Sequence, residues 1–288
     1  MTYPIQTKVK AILKEYGFAP NKKLGQNFLI DEPMALKILA ALELGSEDTV
    51  LEIGSGLGAL TWLIAPQVKH LISIEFDAGY IRYLQRELKR SNFHNVQLVH
   101  GDILKQDWNM LCYGQKVKVV GNLPYSITGP SLMQLIEERT KVEQAVVMLQ
   151  AEVVEKMIAP VNGSDYNRLS VYCSLLADVQ RVSLVPRQCY YPEPKVDSAV
   201  LKITFKKEDP LKGDLWPLFQ RILNVVFQKR RKMIQGSLKG FEYEGRVISP
   251  EEWRGIFDCV DVRGTMRPQE LSAENFLRLV EELSKLLT

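Results

Sequence analysis

Short apolar runs alternate with helical stretches through the first two-thirds of this chain, and few folds accommodate that order. Val50-Leu51-Glu52-Ile53 reads as a strand, as does Leu71-Ile72-Ser73-Ile74-Glu75. Val96 to Val99, Val117 to Val120 and Ala145 to Leu149 follow, with helical stretches such as Asp77 to Leu88 and Pro130 to Glu138 between them. Strands that are apolar almost throughout, rather than at alternate residues, are covered on both faces. Joined by helices, such strands build a doubly wound α/β domain with a mostly parallel sheet. Val179 to Val185 and Ala199 to Phe205 read as two more strands, a hairpin-like edge of the same sheet, which makes seven.

The pattern changes at Lys206-Lys207-Glu208-Asp209-Pro210, a polar stretch ending in proline that serves as a linker. Beyond it only helical signals occur. Ser249-Pro250-Glu251-Glu252 combines a serine cap, an early proline and a capping-box glutamate. Asn275 to Leu287 has helical apolar spacing behind Ser272 as a cap. The expected division is therefore an α/β domain over 1–206 and a small all-α domain over 207–288.

Bulk properties narrow the setting. The 288 residues are 46% hydrophobic and 25% charged, and the formal net charge of +3 does not by itself argue for nucleic acid. No apolar run approaches the ~18 residues of a membrane span. Met1 to Gln6 lack a signal-peptide pattern. Cys112, Cys173, Cys189 and Cys259 are dispersed, with no C-x-x-C pair and no histidine at ligand spacing. That argues against a metal site and suits a reduced, cytoplasmic protein.

The first strand runs into Gly54-Ser55-Gly56-Leu57-Gly58. Glycines there permit a tight turn and a close backbone approach to a ligand. The spacing is G-x-G-x-G, without the closing x-x-G that cradles a pyrophosphate. It favours an adenosine ligand lacking phosphates, such as S-adenosylmethionine. Glu75 ends the second strand about 20 residues past Gly54, where an acid accepts ribose hydroxyls. Asp102 follows the third strand, placed to accept from an adenine amine. Three consecutive strand tips carrying such groups describe a ligand crevice.

The fourth strand ends in Gly121-Asn122-Leu123-Pro124-Tyr125, similar to the (N/D)-P-P-(Y/F) tetrapeptide of amino-methyltransferases. An adenine amine is a poor nucleophile because its lone pair is delocalised. The Asn122 side-chain carbonyl and the Leu123 backbone carbonyl can hold its protons and favour the pyramidal nitrogen, with Pro124 stiffening the loop. Tyr125 offers a face on which a flipped base can stack.

These motifs, with Lys22-Lys23-Leu24-Gly25-Gln26-Asn27-Phe28-Leu29 before them and Pro192-Glu193-Pro194-Lys195-Val196-Asp197-Ser198 after them, closely resemble the KsgA (RsmA) family of ribosomal RNA adenine dimethyltransferases. The resemblance runs from Asn21 to Leu279. It implies a class I, Rossmann-like methyltransferase fold with a helical C-terminal domain. It implies S-adenosylmethionine as cofactor and dimethylation of N6 on two adjacent adenosines in the 3′-terminal hairpin loop of small-subunit rRNA. Carried over by position, the cofactor residues are Asn27, Leu29, Gly54, Gly56, Glu75, Asp102 and Asn122. Asn27 and Leu29 would cap the cofactor. The family usually has phenylalanine where this chain has Tyr190. An adenine sandwiched between Tyr125 and Tyr190 is expected, the added hydroxyl needing a partner if buried. Which of Tyr190 and Tyr191 faces the base is left open.

Lys229-Arg230-Arg231-Lys232 is the densest basic cluster, followed by Lys239; Lys22-Lys23 form a second, and Lys195, Lys10 and Lys14 are weaker candidates. Such cations would contact RNA phosphates. The expected partner is rRNA within the small ribosomal subunit or its precursor, met by a monomer that also acts as an assembly checkpoint. Three other readings stay open on sequence: a large-subunit rRNA adenine methyltransferase, a non-catalytic assembly factor, and a methyltransferase of DNA or small molecules.

Overall fold

The computed structural model describes residues 5–21, 25–211 and 213–287. In chain order its elements begin with α1 (Ile5–Glu15), β1 (Phe28–Leu29), α2 (Glu32–Leu42), β2 (Thr49–Ile53), α3 (Thr61–Ile64) and β3 (His70–Glu75). Next come α4 (Ala78–Arg90), β4 (Val96–His100), α5 (Trp108–Leu111), β5 (Val117–Asn122), α6 (Thr128–Glu137) and β6 (Val142–Gln150). Then follow α7 (Ala151–Ile158), α8 (Arg168–Leu176), β7 (Ala177–Val185), β8 (Tyr190–Tyr191) and β9 (Ser198–Phe205). The chain closes with α9 (Leu215–Phe227), α10 (Ile234–Ser237), β10 (Glu242–Tyr243), β11 (Arg246–Val247), α11 (Pro250–Cys259) and α12 (Ala273–Leu287).

Seven strands form one sheet in the order β4-β3-β2-β5-β6-β9-β7. β2 pairs in parallel with β3 and β5, β3 with β4, and β5 with β6, whereas β9 runs antiparallel to β6. The two late strands are neighbours, as the hairpin-like reading expects, but β9 is inserted between β6 and β7. Between them lies β8, which pairs antiparallel with β1 in a separate two-stranded ribbon. Central strands are buried along nearly their whole length because helices cover both faces. Their connections obey capping chemistry. Asp31 accepts from Met34 N at 2.8 Å to start α2, and Asp77 accepts from Gly79 N at 2.7 Å to start α4. α4 then buries Tyr80, Ile81, Tyr83, Leu84 and Leu88 along one stripe.

The chain divides into two compact units, 1–154 with 179–205, and 155–178 with 206–288. A single cut at 206/207 therefore misplaces residues 155–178. In the second unit Tyr172 packs against Trp216 and Phe219, with ring centroids 5.5 and 5.9 Å apart, and Tyr166 donates to the Leu271 carbonyl at 3.0 Å. An apolar helix has no local signal that says which core it joins. The second unit is also not purely helical, since β10 and β11 form a two-stranded hairpin. Its predicted helix starts are present: Ser249 and Glu252 form a reciprocal capping box, and Ser272 Oγ accepts from Asn275 N at 3.1 Å. Among the described residues no helix is long and apolar enough to cross a membrane.

Candidate active site

A cavity of about 570 Å³ opens at the C-terminal tips of β2, β3 and β5, within the size range of ligand pockets. Asn27, Leu29, Gly54, Gly56, Glu75, Asp102, Asn122, Leu123, Pro124 and Tyr125 all line it. The tips of successive parallel strands converge there because each βα turn ends on the same side of the sheet.

The glycine loop is shaped by backbone geometry. Gly54, Gly56 and Gly58 have φ of +76°, +55° and +87°, in the left-handed region. A Cβ on Gly56 would come within 3.3 Å of the Phe28 ring, so the loop passes close under the N-terminal segment. Glu75, only 7% exposed, holds this loop: its Oε2 accepts from Gly56 N and its Oε1 from Asp77 N, each at 2.8 Å. Burial raises its pKa, against the pull of those two backbone donors. Each carboxylate oxygen retains a lone pair for a ligand hydroxyl. Asp102 accepts from Leu104 N at 3.0 Å and caps a short turn while facing the cavity.

The Asn122–Tyr125 loop is tied down at both ends. Asn122 Nδ2 donates to the Asn27 carbonyl at 2.8 Å, which orients the amide and leaves its oxygen as the acceptor end. Leu123 N donates to the Met148 carbonyl at 3.2 Å, and Pro124 O receives Ile127 N and the Thr128 hydroxyl. Tyr125 Oη lies 2.8 Å from Ser198 Oγ. The two carbonyl groups that sequence chemistry assigns to the amine, on Asn122 and Leu123, thus sit on one braced turn.

Tyr190 is not in the cavity wall. It is 3% exposed and belongs to the core cluster that holds Met148, Val146 and Val200, on a strand paired with β1. The hydroxyl absent from phenylalanine finds its partner there, donating to Met148 Sδ at 3.4 Å. Tyr191 is half-buried, and the Lys10 ammonium lies 4.9 Å from its ring centroid. A second stacking face opposite Tyr125 is not formed by Tyr190 in this arrangement.

Several lining residues carried no signal that sequence reading used. Glu52 is 2% exposed, with its Oε2 accepting from Thr61 Oγ1 at 2.6 Å and Ser73 Oγ at 2.7 Å. Burial pushes its pKa up to about 7 despite both hydroxyls. A carboxylate inside the apolar run Val50 to Ile53 was the available clue. Ser55 Oγ is buried without a protein partner, an orphan that fits a polar ligand group. Phe76, 57% exposed, and Ile103 give the cavity an aromatic and an aliphatic wall next in sequence to Glu75 and Asp102. Tyr80 donates to Gln26 Oε1 at 3.0 Å, fastening the N-terminal segment to α4. This set fits S-adenosylmethionine: two carboxylates for ribose and adenine, apolar walls for the rings, and an orphan hydroxyl with a buried carboxyl for the amino-acid end.

The basic candidates separate on inspection. Lys229, Arg231, Lys232 and Lys239 are exposed in the second unit, whereas Arg230 turns inward and donates from Nη2 to the Ser164 carbonyl at 2.6 Å. Lys195, Lys10 and Lys14 are exposed in the first unit and outside the cavity wall. Lys22 and Lys23 lie outside the described residues.

A family model described as ribosomal RNA adenine dimethylase matches residues 17–285. The Ribosomal RNA small subunit methyltransferase A of Desulforapulum autotrophicum is 36% identical, covering 98% of this chain and 97% of its own. That of Moorella thermoacetica is 40% identical over 83% of this chain and 85% of its own. Among solved structures, a dimethyladenosine transferase from Plasmodium falciparum superimposes with a TM-score of 0.77 at 27% identity, covering 88% of this chain and 96% of that one. The 23S rRNA methyltransferase ErmE superimposes at 0.66 with 28% identity, covering 90% and 100%.

Proposed function

The chain belongs to the ribosomal RNA adenine dimethylase family, and from that premise we propose that it dimethylates N6 of two adjacent adenosines in the 3′-terminal hairpin loop of small-subunit rRNA. In this reading it works as a cytoplasmic monomer on the small subunit or its precursor, and its binding late in maturation doubles as an assembly checkpoint. The single observation that carries the chemistry is the braced Asn122–Tyr125 turn beside the carboxylate-lined cavity.

Bound S-adenosylmethionine supplies an electrophilic methyl group. Glu75 would receive the ribose hydroxyls and Asp102 the adenine amine, with Phe76 and Ile103 against the ring faces. Asn27 and Leu29 would close over the ligand from the N-terminal segment. At the other end Asn122 Oδ1 and the Leu123 carbonyl accept the two protons of the target amine. That draws electron density back to nitrogen and aligns its lone pair for in-line attack. Tyr125 holds the base by its ring face. After transfer the nitrogen is a cationic ammonium, acidic enough to release its proton to water, so no side-chain base is required. A second round needs the same acceptors for the one remaining proton.

The exposed Lys229, Arg231 and Lys232 of the second unit supply phosphate contacts in this reading, with Arg230 as a structural anchor. Small-subunit relatives spanning nearly the whole chain favour that subunit over the large one. The test is methylation of unmodified small and large subunits with labelled cofactor, followed by digestion and mass analysis of the adenosines. Dimethyladenosine at two neighbouring positions of small-subunit RNA is expected; label confined to large-subunit RNA would overturn the reading.

A further inference from the structure

We propose that Ser198 is a positioning residue for methyl transfer, whose hydroxyl holds the Tyr125 ring where the target base must stack. The inference rests on the reading of Tyr125 as the base platform. Ser198 is 1% exposed at the start of β9, opposite Gln150 of β6. Its Oγ lies 2.8 Å from Tyr125 Oη, across 73 residues of sequence.

Either hydroxyl of this pair can be the donor. Leu123 N donates to the Met148 carbonyl. The turn that carries the Leu123 acceptor is thus fastened to β6 by a main-chain bond before it and to β9 by a side-chain bond after it. Nothing in the strand pairing needs the hydroxyls, since β6 and β9 are in register from Gln144 to Gln150 without them. Their effect falls on the ring. A phenol released from Ser198 can swing about its χ angles, and the base loses a fixed face.

The full-length protein and unmodified small ribosomal subunits test this, with kcat, KM for the subunit, the cofactor Kd and thermal unfolding as readouts. Ser198→Ala and Tyr125→Phe should each lower kcat about tenfold, with cofactor Kd unchanged. Their combination should be no slower than Ser198→Ala alone, because both remove the same bond. A purely structural serine would shift the unfolding midpoint and leave kcat intact, and that result overturns the proposal. So does a double variant whose losses multiply to about a hundredfold. Should Ser198→Ala fail to fold, Tyr125→Phe decides: wild-type kcat in that variant overturns the proposal. Tyr125→Ala separates the two layers. If it methylates at the wild-type rate, the platform reading fails. If it is inactive while Ser198→Ala is fully active, only the role of Ser198 fails.

Discussion

Glu52 shows how much one side chain can encode. Its carboxyl sits in the middle of an otherwise apolar strand, and two hydroxyls converge on one of its oxygens. With the folded pKa raised from 4.5 to about 7 by burial, the native state binds the extra proton between those values. Stability should therefore fall as pH rises through that window and stay reduced above it. Glu52→Gln should unfold with the wild type below about pH 4.5 and several degrees higher near pH 8, as followed by thermal melts. The same proton affects the cavity that Glu52 lines. A cationic ligand favours the ionised carboxyl, so S-adenosylmethionine affinity should increase as pH rises toward about 7 and then level off. Calorimetric titration of the wild type and Glu52→Gln checks this, since the variant should lose the pH dependence. Asn122→Ala removes both the proposed amine acceptor and the bond to the Asn27 carbonyl. It should lower kcat by about 10²–10³, measured as label transferred to small-subunit RNA.

At the scale of elements, function is assembled at strand tips by loops that tolerate almost no extra volume. A Cβ on Gly58 would sit 2.5 Å from Trp62 Nε1 and 2.9 Å from Leu84 Cδ2, on a backbone with φ of +87°. Leu84 is fully buried on α4 and cannot retreat. Gly58→Ala should cost about 2–4 kcal/mol, from left-handed strain plus overpacking, and denaturant unfolding would read it. The short β1–β8 ribbon works in the opposite sense. It carries no core of its own, yet its pairing brings Leu29 to the cavity and buries Tyr190 behind it.

For the whole molecule, the second unit is built from two separated stretches of chain. A fragment ending at residue 206 keeps Tyr166, Tyr172 and α8 but loses Trp216, Phe219 and Phe227, against which those rings pack. Such a fragment should aggregate rather than run as a monomer on size-exclusion chromatography. In the proposed reading the exposed cations of this unit contact RNA phosphates. Replacing Lys229 or Arg231 with alanine should weaken subunit binding and reduce the slope of log affinity against log salt by about 1 each. Arg230→Ala should instead lower stability, because its guanidinium holds the Ser164 carbonyl.

The parallel strands were legible because strands covered on both faces are apolar almost throughout, a property each segment carries locally. The glycine turn and the Asn122–Tyr125 loop were legible for a similar reason: close approach and proton acceptance restrict residue type wherever they occur. Tertiary structure alone decided matters that depend on a distant partner. It assigned residues 155–178 to the second unit, since α8 would look equally apolar against either core. It buried Tyr190 and left Tyr191 half-covered, although the two rings are adjacent in sequence. It turned Arg230 inward from a run of four cations that read alike. Sequence by itself determined which chemistries the chain could perform; packing between residues dozens of positions apart determined which side chains face the cavity and which hold those in place.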